Sequence, residues 1–526
     1  MELELIPVVE RDRKHLMTIM TNMTIDGTNV FIHNQNLHNL LLGVLTRVFC
    51  VKYDGVLSLP IPIDEPYVRR WSRAYDRALK RHFKPARILD TEEIPLAYDG
   101  AKRAAYQNAA SAYELYGWEV ADTRMKCFGK LEKLEKKRPG EPIDQQTNVC
   151  RIVQPASLKA NLFILRSYRP FRKQLKRAIR KTSNVEVMSG LNSHQMGERF
   201  LKIINAAGPG AIVLLGDAVK YDIHTRQVHL RLEDKLHIQW VERFGLFNSP
   251  DEKRQYLREL KWLLHRLENP TKYITTPDAV IKFKRIMRCS GTVKTSDGNV
   301  YNMSKMQADI ETEVDYEIWP FNAGDDFGFV LKHDTDVDAF TNTADTLFRR
   351  HGYVMEWEEP ELADSPLWKF CQARFFRDRL TAYMLRDNRA LQRDHVSLKQ
   401  ITNHKLVDMY RGAISDCGLA AFGDMPVLGS YYNYLGRASG TRRPKTIEHN
   451  GLYYLSRNMR KKFQPPTPEL RQQYEWAYGI TPDEQESLER YYDHLDWNKP
   501  RFSYSELYPE SGGVEGVHGD AVARED

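Results

Sequence analysis

Short apolar runs closed by glycine and acidic residues mark the middle of this chain, and apolar residues at helical spacing mark its flanks. Ala211-Ile212-Val213-Leu214-Leu215 is five apolar residues in a row and predicts a buried strand ending at Gly216-Asp217. Two β-prone runs, Tyr316–Phe321 and Phe327–Leu331, flank Gly324-Asp325-Asp326 and predict a hairpin with the aspartates at its tip. Pro320 counts against a central position for the first of these strands, because proline cannot donate to a ladder. Helical spacing predicts helices over Leu37–Phe49, 98–117, Glu198–Ala207, Arg254–Leu267 and Asp336–Arg350, with a proline-rich loop near Pro60–Pro66. A strand is expected over Gly352–Trp357, and from about residue 376 the pattern is mainly helical. Ser511–Asp526 is rich in glycine and acid and poor in apolar residues, which predicts a disordered tail. No internal repeat is visible.

A chain of 526 residues can bury a large core and hold several subdomains. Its 77 Lys+Arg against 70 Asp+Glu leave a net charge of +7, a mild basic bias compatible with RNA. The distribution is more telling. About half of Arg166–Lys181 is basic, with Tyr168 and Phe171 interleaved. Such a run is either a solvated helix face or the wall of a phosphate-lined channel. The six cysteines have no CxxC spacing and there is no HExxH, so a zinc site is not expected and free thiols fit a reducing compartment. No signal peptide is visible at Met1, and no apolar run approaches the length of a membrane span.

The carboxylates then change the picture. Asp217 and Asp222 sit in Gly216-Asp217-Ala218-Val219-Lys220-Tyr221-Asp222, and Asp325 and Asp326 sit at the hairpin tip. Between them lies Ser290-Gly291-Thr292-Val293-Lys294-Thr295-Ser296-Asp297-Gly298-Asn299. Taken singly, each segment reads as a turn, a helix cap or a polar loop. Together they supply what nucleotide transfer needs: carboxylates for two divalent ions, and polar groups for a ribose.

In order and spacing the three segments resemble motifs A, B and C of viral RNA-dependent RNA polymerases. From about residue 35 to 495 the chain is similar to the polymerases of tombusvirus-like plus-strand RNA viruses. Phe128-Gly129-Lys130-Leu131-Glu132-Lys133 and Arg151-Ile152-Val153-Gln154-Pro155 resemble segments upstream of motif A, the second being motif F. Tyr221-Asp222-Ile223-His224 resembles the end of motif A. Gly352–Pro360 and Phe370-Cys371-Gln372 resemble motifs D and E, and Tyr478–Gln485 a late thumb segment. Departures are Ala156 where an arginine often follows the proline, Thr292 where aspartate is usual, and Glu356 where motif D often carries a lysine. His351 or Arg350 is the candidate substitute for that lysine.

The resemblance implies an α+β right hand of fingers, palm and thumb, with mostly helical fingers and thumb and an antiparallel palm sheet. It divides the chain into an N-terminal extension and fingers support (1–85), fingers with motif F (86–210), palm with motifs A to D (211–365, with 225–280 a fingers insertion), thumb with motif E (366–505) and a tail (506–526). It implies an RNA-directed RNA polymerase using two Mg2+ ions, with Mn2+ as an alternative. Asp217, Asp325 and Asp326 are the implied catalytic metal ligands. Arg151, Lys159, Asp222, Ser290, Thr295 and Asn299 are the implied nucleotide-binding residues. Lys130, Arg166, Lys173 and Lys176 are the candidate RNA-binding residues. Implied partners are RNA template and product, NTPs and a membrane-anchored viral replication protein, in the host cytoplasm at membrane-associated complexes. A reverse transcriptase shares such a palm, but Gly324, Asp222 and Asn299 argue against it. A non-enzymatic RNA-binding protein explains the basic run but not the ordered carboxylates.

Overall fold

The computed structural model describes residues 2–7, 18–19, 30–31, 35–53, 55–132, 134–135, 149–379, 381–398, 401, 403–437, 439, 447 and 451–495. The tail expected over 506–526 lies outside the described residues. Mixed helix and sheet surround one central sheet of six strands: β1 (Glu186–Val187), β2 (Ile212–Ala218), β3 (Trp319–Asn322), β4 (Phe327–Leu331), β5 (Met355–Trp357) and β6 (Glu361–Leu362). The order is β1-β3-β4-β2-β5, with β6 also beside β2. Every pairing is antiparallel except β1 with β3.

Alternation along the strands decides the packing. Val213 and Leu215 of β2 join Phe321 and Val330 on one face, against Met196, Phe200 and Ile203 of the Ser193–Ala207 helix. Leu214 joins Phe327, Phe329 and Leu331 on the other face, against Met303, Met306 and Ile310 of the Thr295–Glu313 helix and Phe340 and Phe348 of the Val337–Arg350 helix. Both faces are thus covered, which is why β2 reads as an unbroken apolar run. The hairpin around Asp325 is not a solvated one.

Pro320 does sit in a strand flanked on both sides, contrary to expectation. The flanking β1 pairs only with Phe321 and Asn322, so the missing proline N–H faces no partner. The strand expected from Gly352 begins later, at Met355, because Gly352 turns the chain with φ 81°. The helix expected over Leu37–Phe49 is α-helical to Val44 and continues as a π-helical turn over Leu45–Phe49. The helix expected from Arg254 starts at Pro250, capped by Ser249.

The basic run lies in a 25-residue helix, Leu158–Thr182. Its apolar face, with Phe163, Tyr168, Phe171 and Leu175, enters a core shared with Leu79, Trp240 and Leu260. The C-terminal region is not helical from residue 376. Lys369–Phe370, Ala373–Arg377 and Ala382–Arg386 form a three-stranded sheet before the helices begin. Helix Ser193–Ala207 packs on it at Gly197, where an added Cβ would lie 2.3 Å from the Ala382 carbonyl oxygen. Helices His404–Phe422, Leu428–Arg437, Pro468–Tyr478 and Pro482–His494 follow.

Candidate functional site

Strand β2, interior to the central sheet, carries Asp217 near its C-terminal end. Gly216 pairs with Phe327, so the register continued by one residue sets Asp217 opposite Asp326. On its other side Asp217 pairs with Glu356. The β3–β4 turn is closed by the Ala323 N–H donating to the Asp326 carbonyl at 2.9 Å. Gly324 at its centre has φ 119°, and a Cβ there would stand 3.3 Å from the Asn299 Cβ. Glycine is therefore needed both for the turn and for the approach of the Asn299 helix.

Two cavities meet at these aspartates. One of about 350 Å³ is lined by Asp217 and Asp326 with Glu358, Lys369, Cys371 and Arg393. The other, about 530 Å³, is lined by Asp222 and Asp325 with Arg151, Ser290, Thr295 and Asn299. Partial enclosure by protein, then repulsion from Asp326, Asp325 and Glu356, pushes Asp217 up to about 6. Burial and the neighbouring Asp325 likewise raise Asp326 and bring Asp222 to about 6. The sequence-derived catalytic carboxylates are thus neighbours, but their side chains divide between two cavities. Among the described residues no three Asp, Glu, His or Cys side chains form a ready-made metal cage. The donor set nevertheless suits a hard cation, since it is oxygen-rich and gathers like charges, with Asp217 and Asp326 raised first by burial and then by neighbouring carboxylates.

Around the larger cavity the backbone is held by a buried charge network. Arg288 donates to Glu233 at 2.6 Å, Lys294 lies 3.2 Å from Glu233, and Lys294 also pairs with Asp234. Burial alone would raise the Glu233 pKa, but Arg288 and Lys294 outweigh it and hold it low. The Arg288 N–H donates to the Asp222 carbonyl at 3.1 Å, so the network fixes the backbone of Asp222. A Cβ at Gly298 would meet Glu233 Oε2 at 2.5 Å, which explains glycine one residue before Asn299. Asn299 is buried, and its Oδ1 has no hydrogen-bond partner among the described residues. A buried orphan acceptor beside a cavity is a group waiting for a donor. Ser290 and Thr295 line the cavity, but their hydroxyls donate inward, to Ile152 O at 3.3 Å and Cys289 O at 2.7 Å. Gly291 lies against Pro155, where a Cβ would be 2.5 Å from the proline Cα, and this contact staples the Arg151 segment to the site.

The basic residues separate. Arg151 and Lys130 line the larger cavity and share Glu132 at 3.1 and 2.9 Å. Lys159 does not reach either cavity. It is buried and pairs with Asp122 at 2.9 Å and Glu119 at 3.1 Å, which anchors the start of its helix. Arg166 is also elsewhere, donating to the Leu89 carbonyl at 2.8 Å and standing over the Tyr256 ring at 5.0 Å. Lys176 is paired with Asp297 at 2.9 Å, whereas Lys173 is exposed. Neither substitute for the motif D lysine comes to Asp217: His351 is buried against Asp309 at 2.7 Å, and Arg350 stands over Tyr67 at 3.4 Å. Two cations that the sequence reading did not select, Arg47 and Lys220, do line the larger cavity. Arg47 comes from the π-helical turn far upstream and carried no local signal.

Comparison with known proteins fits this geometry. A family model described as viral RNA dependent RNA polymerase matches residues 8–499. The RNA-directed RNA polymerase of tobacco necrosis virus (strain A) is 28% identical over 475 residues, covering 88% of this chain and 62% of the relative. That of maize chlorotic mottle virus is 26% identical over 487 residues, covering 90% and 47%, and that of turnip crinkle virus 27% over 486, covering 89% and 59%. The chain spans about half to three-fifths of the length of these relatives. An acidic strand end facing an acidic hairpin tip, with the match running almost the whole length, leaves one assignment: the chain belongs to the viral RNA-dependent RNA polymerase family.

Proposed function

We propose that this chain is an RNA-directed RNA polymerase that copies a viral RNA genome from NTPs. The observation that carries the reading is Asp217 set opposite Asp326, between two cavities large enough for nucleotide chemistry. The central sheet serves as palm, the helical region around Leu158–Thr182 as fingers, and the region from about residue 366 as thumb. Two divalent cations, Mg2+ or alternatively Mn2+, would when bound activate a 3′-hydroxyl and neutralise the leaving pyrophosphate. Asp217, Asp325 and Asp326 would hold them. Arg151 and Lys130, with Arg47, supply positive charge to the triphosphate. The orphan Asn299 Oδ1 accepts from the ribose 2′-hydroxyl, and the Asp222 carboxylate accepts from the neighbouring ribose hydroxyl. Glu356 stands where a proton-donating lysine is usual, so the proton for pyrophosphate comes from another source.

RNA template and product are the proposed macromolecular ligands. No helix among the described residues is long and apolar enough to cross a membrane. A membrane-anchored viral replication protein in the host cytoplasm is the proposed source of attachment.

Primer extension on a homopolymeric RNA template with Mg2+ tests the reading. Incorporation of NTPs over dNTPs is expected, with Asp325→Asn abolishing synthesis while RNA affinity is kept. Equal use of dNTPs by the parent, or synthesis surviving in Asp325→Asn, would remove the assignment.

A further inference from the structure

Lys220 is one of five non-glycine residues with left-handed φ among the described residues, at 47°. Side chains are disfavoured there, because Cβ crowds the backbone, and such residues persist where surroundings enforce them. Here the enforcement is visible. The Val219 N–H donates to the Val354 carbonyl at 3.0 Å, and the Lys220 carbonyl accepts from the Ile223 N–H at 3.2 Å. Glycine would adopt this turn without penalty, yet the position holds a lysine that lines the larger cavity together with Asp222 and Asp325.

Its charge is not spent inside the protein. Lys220 makes no ion pair among the described residues, whereas Arg151 and Lys130 share the single carboxylate of Glu132. The charges acting on it are two cations, Arg47 and Lys52, and one carboxylate, Glu356. Carboxylates stand nearby, but none of the described side chains forms an ion pair with this half-buried cation. Two positions near the site that often carry a cation in the family this chain resembles carry none here. Ala156 stands where arginine follows the motif F proline, and it is buried. Glu356 stands at the motif D lysine position. Of Lys130, Lys159 and Arg166, the residues expected to share the contacts of that arginine, Lys130 lines the cavity but is paired with Glu132, and the other two are engaged elsewhere.

We propose that the Lys220 ammonium is a ligand of the triphosphate of the incoming nucleotide, standing in for the missing arginine. The assignment rests on the polymerase reading for the identity of the nucleotide, but not for the presence of a polyphosphate site. It gives the left-handed backbone a purpose: the turn that carries Asp217 to Asp222 places a cation in the cavity between the metal-site strand and the ribose-binding residue.

ATP, AMP and a short RNA oligonucleotide, each titrated calorimetrically into the full chain in Mg2+, test it. The variants are Lys220→Gly, which removes the charge and suits the φ angle, and Lys220→Arg, which keeps the charge. Loss of one charge-assisted phosphate contact should weaken ATP roughly ten- to a hundredfold in Lys220→Gly. AMP and RNA should stay within about twofold, and Lys220→Arg should retain most ATP affinity. In primer extension the KM for NTP should rise by a similar factor, with kcat changing less. Because glycine relieves the turn, the thermal midpoint of Lys220→Gly should be no lower than that of the parent. ATP affinity unchanged in Lys220→Gly overturns the proposal and leaves the polymerase reading in place. Equal weakening of AMP or RNA also overturns it, since the contact is then not to the triphosphate. A parent that binds ATP through Lys220 but extends no primer keeps the phosphate site and removes the polymerase reading. A parent that binds no ATP overturns the proposal.

Discussion

Two charged clusters sit side by side in this molecule and follow opposite rules. Glu233, Asp234, Arg288 and Lys294 are two acids and two bases paired with one another, all buried but Asp234, which is partly exposed. Asp217, Asp325 and Asp326 are three acids with Glu356 beside them, open to two cavities. The charges of the first cluster are balanced by the protein alone, although Glu233 Oε1 and Arg288 Nε have no hydrogen-bond partner among the described residues. Those of the second are not, and burial and then neighbouring carboxylates push Asp217 and Asp326 upward. Buried balance marks scaffold, and unresolved imbalance at a cavity marks a place completed by a ligand. The orphan Asn299 Oδ1 and Lys220, which has no ion pair among the described residues, belong to the second kind, whereas Lys159 belongs to the first.

The largest effect that can break this contrast is chemical. Asp217→Asn should lower nucleotide incorporation by on the order of a thousandfold or more, because metal charge stabilisation is worth several kcal/mol in the transition state. Its stability should not fall. Residual synthesis within tenfold of the parent in single-turnover assays would place Asp217 among ordinary strand-end residues.

Cutting the balanced cluster should have the reverse signature. Glu233→Ala leaves Arg288 and Lys294 buried without their shared partner, at a cost of about 3–5 kcal/mol. Denaturant unfolding reads this directly. A loss below about 1 kcal/mol would mean that water or Asp234 satisfies both cations.

A third test uses protons. Asp217 and Asp222 have folded pKa values of about 6, above the ordinary carboxylate range. In metal-free protein they therefore hold protons that the unfolded chain has released. Their stabilising contribution is full in acid, declines as pH rises from about 4 to 6, and is gone above that. Relative to the parent, Asp217→Asn should gain stability across that window. Mg2+ should raise the thermal midpoint more at pH 7.5 than at pH 5, since protons and cation compete for the same oxygens. A midpoint shift by Mg2+ that is equal at both values would show binding away from these carboxylates.

The smallest effects sort the basic helix. Lys173→Glu should flatten the salt dependence of RNA binding by about one ion if that exposed face meets RNA, with little change in stability. Lys159→Met should leave the KM for NTP alone and lower stability, because Asp122 loses its partner. An altered KM with unchanged stability would return Lys159 to the nucleotide site.

Much of the scaffold of the site was legible because it is local. An apolar run ending in Gly216-Asp217 and two β-prone runs around Gly324 contain their own instructions, and the central sheet follows them. Lys159 and Arg166 misled because a lysine in sequence carries no record of its partner. Asp122 lies on a different element from Lys159, and the Leu89 carbonyl bound by Arg166 is 77 residues away. Arg47 was invisible for the same reason, since only the closed fold brings it to Arg151 and Asp222. Strand Ala382–Arg386 was missed because its run of buried residues does not alternate, and tertiary cover rather than propensity makes it a strand.

The left-handed residues have a consequence for how such a chain evolves. Cys371 and Gln372 form a two-residue hairpin turn with φ of 51° and 60°, where Asn-Gly would sit at ease, and Cys371 reaches Asp326 at 3.5 Å. With Lys220, three of the five strained non-glycine positions border the two cavities. A lineage selected for thermal endurance alone would exchange them early, recovering on the order of 1 kcal/mol at each. Consensus or ancestral stabilisation of this chain should therefore be barred from these three codons first, and a mutational-tolerance map scored by folding would light up along the rims of the cavities as the places where the chain declines an easy improvement.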